Sequence, residues 1–283
     1  MGKSIKAYNW IQIILGSIVS ILIFFIAQFV AITISDMLPC SQDVKLIAMF
    51  SIGTSFITIA VGFYIKKIIK KDLKDFYISN SKVNYIIWII LGYAMVSYVF
   101  FVCNIFKVLK FNKIDNYTPL GIIVSILVIG ILPAYTEELI FRGVIFNFLK
   151  SRLKLIWAMI IPSIGFALVH IIGYKNMDLR SVILLAVGGS AVGVLFSCIA
   201  YISKSIFASA IVHAIWNIFI TGNTIVKFTS ITSLSFYDIV PTNSLLDGGA
   251  MGVQASIPVL LFYIVIDIIL LAYIFKKNVK NKN

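Results

Sequence analysis

PLGIIVSILVIGILPAYTEELIFRGVIFNF, residues Pro119 to Phe148, is the stretch that decides how this chain folds. It is long and apolar enough to cross a bilayer core, which takes about 20 helical residues. Yet its middle carries Glu137, Glu138 and Arg142. A charged side chain at the centre of a membrane helix costs roughly 3 kcal/mol or more, so such groups face one another, a cavity or a functional path. Glu137 and Glu138 are the only glutamates in the chain, and its only histidines, His170 and His213, stand in two further apolar stretches.

Working outward, the same apolar character recurs along the chain. Hydrophobic residues make up 60% and charged residues 12%, with a mean hydropathy of +1.03, far from an ordinary soluble domain. Eight stretches read as transmembrane helices: Trp10 to Ile34, Leu46 to Ile65, Val83 to Phe106, Pro119 to Phe148, Leu155 to Ile172, Ser181 to Ile202, Ser205 to Ile220 and Ser256 to Phe275. The fold class expected is an all-α, polytopic membrane bundle of about eight helices, in the cell membrane. The first stretch follows two lysines but reaches Ile34 without a small-residue cleavage pattern, so it reads as an uncleaved helix rather than a signal peptide.

The formal charge of +13 does not point to nucleic acid, because the basic residues sit at the ends of apolar segments. Positive-inside topology accounts for them. With both termini in the cytoplasm, that side collects Lys3, Lys6, the run Lys66 to Lys82, Lys150, Arg152, Lys154, Lys204 and the tail Lys276 to Lys282. The cluster Lys107, Lys110, Lys113 falls on the other side against the trend. Cys40, Cys103 and Cys198 are scattered, which indicates neither a disulfide framework nor a thiolate metal site.

Three regions follow from where the polar residues lie. Residues 1–115 hold the first three helices and read as scaffold; residues 116–222 hold both glutamates, both histidines, Arg142 and Asn217, and read as the functional core. Residues 223–283 read as an extracytoplasmic loop with turns, a last helix and a basic tail. No internal repeat of the kind expected of a secondary transporter is evident.

On a helix, residues four apart share a face and neighbours differ by about 100°. Glu138 is therefore the better partner for Arg142, and Glu137 is directed elsewhere, free to act as a base or ligand. Phe166 stands one turn before His170 and can pack its imidazole. His213 and Asn217, again four apart, present an imidazole and a carboxamide toward a common point, where the amide can orient the ring or donate to an oxyanion. Two imidazoles and a carboxylate from three helices can polarise a water, with Glu137 as general base, or bind zinc through Glu137, His170 and His213. Both routes lead to hydrolysis. A His-Glu-x-x-His helix is absent.

Glu137-Glu138-Leu139-Ile140-Phe141-Arg142, Phe166 to His170 and His213 to Asn217 resemble the Glu-Glu-x-x-x-Arg, Phe-x-x-x-His and His-x-x-x-Asn motifs of the CPBP intramembrane proteases. That group contains the CAAX prenyl endopeptidases and bacterial bacteriocin-processing or immunity proteins. The resemblance covers about Pro119 to Gly222. It implies an endopeptidase in which Glu137 and His170 activate a water while His213 and Asn217 stabilise the tetrahedral oxyanion. Glu138, Arg142 and Phe166 support them. The family has been described both as zinc-dependent and as glutamate-dependent, so the cofactor stays open, with Zn²⁺ the candidate metal.

The partners expected are a peptide or membrane-protein substrate and the lipid bilayer. A composition rich in Ile, Lys and Asn is that of a low-GC bacterium, where family analogy favours a peptide pheromone, a bacteriocin precursor or a membrane regulator over a prenylated substrate. The alternative from another class is a non-catalytic immunity or regulatory protein that binds a bacteriocin-like peptide or signalling partner. Of the remaining polar residues, Asp267 is expected in the bundle interior beside an uncharged donor. Gln28 and Asn104 are expected to hydrogen-bond between helices, and Pro133 to kink the fourth span.

Overall fold

The computed structural model describes residues 8–79, 83–107, 109–111, 119–172, 178–221, 237–239, 244–248 and 252–280. Eight apolar helices run through them: α1 (Trp10–Asp36), α2 (Gln42–Ile69), α3 (Tyr85–Ile105), α4 (Pro119–Lys150), α5 (Leu155–Ile172), α6 (Leu179–Ser203), α7 (Ile206–Ile220) and α8 (Ile257–Lys280). Six are long and apolar enough to cross a membrane, while α5 and α7 are shorter. The two short helices are those that carry the histidines. Most side chains of the α7 segment Ile206–Trp216 are buried against its neighbours. One departure from a purely helical chain occurs among the described residues. Leu109–Phe111 pairs antiparallel with Tyr237–Ile239 as a two-stranded ribbon. Most of the segment read as the extracytoplasmic loop lies outside the described residues.

Packing places α4 to α7 at the centre. α5 lies along α6, α7 contacts α4, α6 and α3, α8 backs α6, and α1 and α2 pair with each other and against α4. Small residues permit the closest approaches, as in other membrane bundles. A Cβ on Gly193 of α6 would stand 2.7 Å from the Ser163 Cβ of α5, and one on Gly130 of α4 would stand 2.2 Å from Ile218 Cγ1 of α7. Two apolar clusters result. One gathers Ile13, Ile57, Val61, Leu139, Phe148 and Met159 around the second half of α4. The other gathers Met95, Phe196, Val212, Trp216 and Tyr263 between α3, α6, α7 and α8. The polar motifs lie where the two meet.

α4 is not a uniform α-helix. Ser125–Ile131 and Leu139–Ile145 are π-turns, flanking an α segment, Leu132–Glu138, that ends on the glutamate pair. Pro133, expected to kink this span, follows the first π-turn directly. With no N–H to give, it cannot continue the regular ladder. Asn147 supports the second: its Nδ2 donates to the carbonyls of Arg142 and Gly143, each at 2.9 Å.

At one end of the bundle the basic turns meet on Tyr77. Its carbonyl accepts from Ile206 N at 3.0 Å, and its hydroxyl accepts from Lys150 Nζ at 2.6 Å and Lys204 Nζ at 3.1 Å. Three connections that the charge pattern assigns to one side therefore do lie together. Burial holds the Tyr77 phenol well above its ordinary range, and burial, with Lys277 nearby, pushes Lys204 down from 10.5 to about 8.

The other polar expectations fare unevenly. Asp267 is interior, 8% exposed, but its Oδ1 meets no donor among the described residues, contrary to the expected pairing. α8 turns it toward the region of Cys198 on α6, where the surroundings are apolar. Asn104 is exposed at the end of α3 rather than set between helices. Gln28 faces α2 near Gly53 but makes no hydrogen bond with another described residue, so the expected interhelical bond is not formed there.

Candidate active site

Adjacency on α4 separates the two glutamates. Arg142, one turn beyond Glu138, donates from Nη1 to Glu138 Oε1 at 2.9 Å and from Nη2 to the Gly193 carbonyl of α6 at 2.8 Å. Its guanidinium lies 4.7 Å from the centre of the Phe166 ring and 5.4 Å from that of Phe196. Both charges are fully buried. Such a pair repays its desolvation only when further bonds hold it, and the Gly193 carbonyl and the ring faces supply them.

Glu137 points to the imidazoles instead. Its Oε2 is 3.6 Å from His213 Nε2 and 4.0 Å from His170 Nε2, and it has no direct hydrogen-bond partner among the described residues. Those separations are too long for direct hydrogen bonds, and Oε2 is itself sealed from solvent. The two imidazoles are held differently. His170 Nδ1 donates to the Phe166 carbonyl one turn earlier at 2.8 Å. A carbonyl only accepts, so in the neutral ring Nε2 carries the lone pair and faces Glu137. His213 instead lies between two carboxylates, Nδ1 donating to Glu138 Oε1 at 3.1 Å and Nε2 facing Glu137.

Rings fix these orientations. Phe196 stacks on His213 with centroids 4.6 Å apart and planes 21° apart, and Phe166 packs on His170 at 4.4 Å and on His213 at 5.9 Å. Side-chain exposure rises from 0% at Glu138 and Arg142 through 5% at His213 and 17% at Glu137 to 38% at His170. The set is sealed at its ion pair and open at its catalytic-type end. His170, His213 and Asn217 line a cavity of about 100 Å³ between α5, α6, α7 and α8. Glu137 and His170 also line a narrow crevice with Ile21, Phe24 and Phe25 of α1.

All seven residues singled out from the sequence therefore belong to one neighbourhood: Glu137, Glu138, Arg142, Phe166, His170 and His213 in mutual contact, and Asn217 across the shared cavity. Gly193, Phe196 and the Phe24 and Phe25 pair were not singled out. The run Gly188-Gly189 to Gly193 was the available signal for α6, since small residues there let the helix approach α5 closely enough to bring Phe196 onto His213.

Over residues 119–219 the chain matches the family model described as Rce1-like, type II CAAX prenyl endopeptidase Rce1-like. This segment resembles the Rce1-like family. Comparison with curated proteins finds no match. The matched segment contains every motif residue from Glu137 to Asn217, and the six helices long and apolar enough to cross a membrane make the protein a multi-pass membrane protein. As donors, two imidazoles and a carboxylate suit zinc. Their arrangement does not fit it as it stands: among the described residues no group of three His, Cys, Asp or Glu side chains is drawn together to hold a metal ion.

Proposed function

We propose that the protein is an intramembrane endopeptidase that hydrolyses a peptide bond of a membrane-associated or peptide substrate with a water activated by Glu137 and His170. The observation that carries this reading is the convergence of Glu137 Oε2 and the lone-pair face of His170 Nε2, 4.0 Å apart beside a buried ion pair. A water between them gives its proton to Glu137 as its oxygen attacks the carbonyl carbon.

His213 completes the step from the other side. In its protonated form both ring nitrogens donate, and the charges of Glu137, Glu138, Arg142 and His213 sum to zero within the bundle. Its Nε2–H and the Asn217 amide then receive the oxyanion. On collapse, the proton held by Glu137 passes to the departing amine nitrogen. Glu138 and Arg142 fix the His213 ring and the α4–α6 spacing without touching the substrate.

The test is cleavage of a library of membrane-associated peptides by the purified protein in proteoliposomes, read by mass spectrometry. Glu137→Ala, His170→Ala and His213→Ala are each expected to lower the rate by about 10³-fold or more with normal expression. Wild-type-like cleavage by a well-expressed Glu137→Ala protein rejects the mechanism. Repeating the assay after chelation separates the two cofactor readings: full activity without metal favours the glutamate type, and loss restored by zinc favours the metallo type.

A further inference from the structure

One residue of α8, outside the segment matched by the family model, also lines the cavity that His213 and Asn217 share: Tyr263. Tyr263 is 2% exposed. Its hydroxyl makes no hydrogen bond with another described residue and is not among the sealed, unpartnered polar atoms, so it opens onto the cavity it lines. The Asn217 amide is in the same state. Leaving a buried phenol without a partner is unfavourable, and a cavity water or a substrate acceptor relieves it.

The ring is held in place from several directions. Trp216, the neighbour of Asn217, meets it edge-on with centroids 5.5 Å apart. Next along α8, Phe262 stacks on Tyr98 of α3 at 4.0 Å with planes 8° apart, and the Tyr98 hydroxyl donates to the Pro258 carbonyl at 3.2 Å. The start of α8 is thus clamped to α3, and the Tyr263 ring is set beside the end of α7 that carries Asn217.

From this we infer that Tyr263 is a further catalytic residue, whose O–H donates to the oxyanion beside Asn217. The inference rests on the peptidase reading. When water attacks, the electron pair of the carbonyl π bond moves onto the carbonyl oxygen, and the attacking water's proton goes to Glu137. The new negative charge needs fixed donors in a low-dielectric cavity, where each is worth more than in water. Tyr263 keeps its proton throughout. When the C–N bond breaks, the oxyanion re-forms the carbonyl and the amine leaves with the proton from Glu137.

The experiment compares wild type, Tyr263→Phe and Glu137→Ala in proteoliposomes on the library peptide that wild type cleaves fastest. Tyr263→Phe keeps the ring against Trp216 and removes only the donor. Its kcat is expected to fall 10- to 100-fold with KM unchanged. A second measurement uses a phosphinate analogue of the same peptide, whose tetrahedral P–O⁻ group mimics the oxyanion. Tyr263→Phe is expected to weaken its binding by the same factor while leaving binding of the cleaved product peptide unchanged. A kcat and a phosphinate affinity within twofold of wild type overturn the inference and leave the peptidase reading standing. Undiminished cleavage by Glu137→Ala overturns both.

Discussion

Two polar clusters in this bundle solve opposite problems. The one on Glu137, Glu138, Arg142 and His213 lies deep in the apolar core and contains both signs of charge. Its most buried members, Glu138 and Arg142, are 0% exposed and bonded to each other. The one on Tyr77 lies at the end of the bundle, where two lysines donate to one neutral phenol and lean on the rings of Tyr77, Phe146 and Tyr201. Hydrocarbon cannot screen a charge, so the deep cluster carries its own counter-charges; at the rim, water and anionic headgroups can do it, so a cationic excess is tolerated. Chemistry is expected from the deep cluster and anchorage from the rim.

The contrast can be broken in four places. Arg142→Ala leaves Glu138 buried without its partner and is expected to destabilise the protein by about 3–5 kcal/mol, with cleavage lost as well. Thermal unfolding in detergent measures it, and a stability near wild type would mean the deep pair is dispensable. Gly193→Ala pushes a methyl group to within 2.7 Å of the Ser163 Cβ and is expected to cost about 1–3 kcal/mol by separating α6 from α5. Ser163→Gly in the same chain should restore most of the loss, and failure of that rescue would place the strain elsewhere.

At the rim the effects shrink. Tyr77→Phe removes the shared acceptor where both ammonium groups can turn to water, and a loss of about 1 kcal/mol or less is expected in the same unfolding assay. A larger loss would make the rim cluster as closed as the deep one. Lys204 gives the smallest effect and a pH signature. Its folded value, about 8, lies below its ordinary 10.5, so between these values the unfolded chain binds more protons and stability rises with pH. The penalty of charging Lys204 is fully present below about pH 8 and is relieved as the pH rises toward 10.5. Lys204→Met should therefore unfold at a slightly higher temperature than wild type at pH 7, with the gap closing by pH 10. A gap that stays constant would show that Lys204 carries no burial penalty.

Much of the site could be read before the fold was known, because hydrocarbon makes ionisable residues conspicuous. Glu137, Glu138, Arg142, His170 and His213 stand out from apolar runs, and helical spacing alone separates Glu138, facing Arg142, from Glu137. The rest depends on contacts between distant parts of the chain. Phe196 stacks on His213, and the Gly193 carbonyl binds Arg142, only because α6 packs closely on α5. Tyr263 reaches the cavity from α8, where a tyrosine among thirteen gives no local signal. Nor does spacing show that the Asp267 Oδ1 meets no donor among the described residues. Pro133 hinted at irregularity in α4, but not at two π-turns, nor at the Thr136 hydroxyl that donates to the Leu132 and Pro133 carbonyls at 3.1 and 3.0 Å.

The two π-turns of α4 give the glutamates a rotational freedom that an ordinary helix lacks. A π-turn carries one residue more than the α-helix over the same length, so Leu132–Glu138 lies between two stores of slack. Passing that slack from one turn to the other would advance the segment by one residue, about 1.5 Å along the axis and 100° around it, while both ends of α4 keep their anchors. One hundred degrees is the angle between Glu137 and Glu138. Such a step would set one carboxylate where the other had stood and carry the second off to a new face.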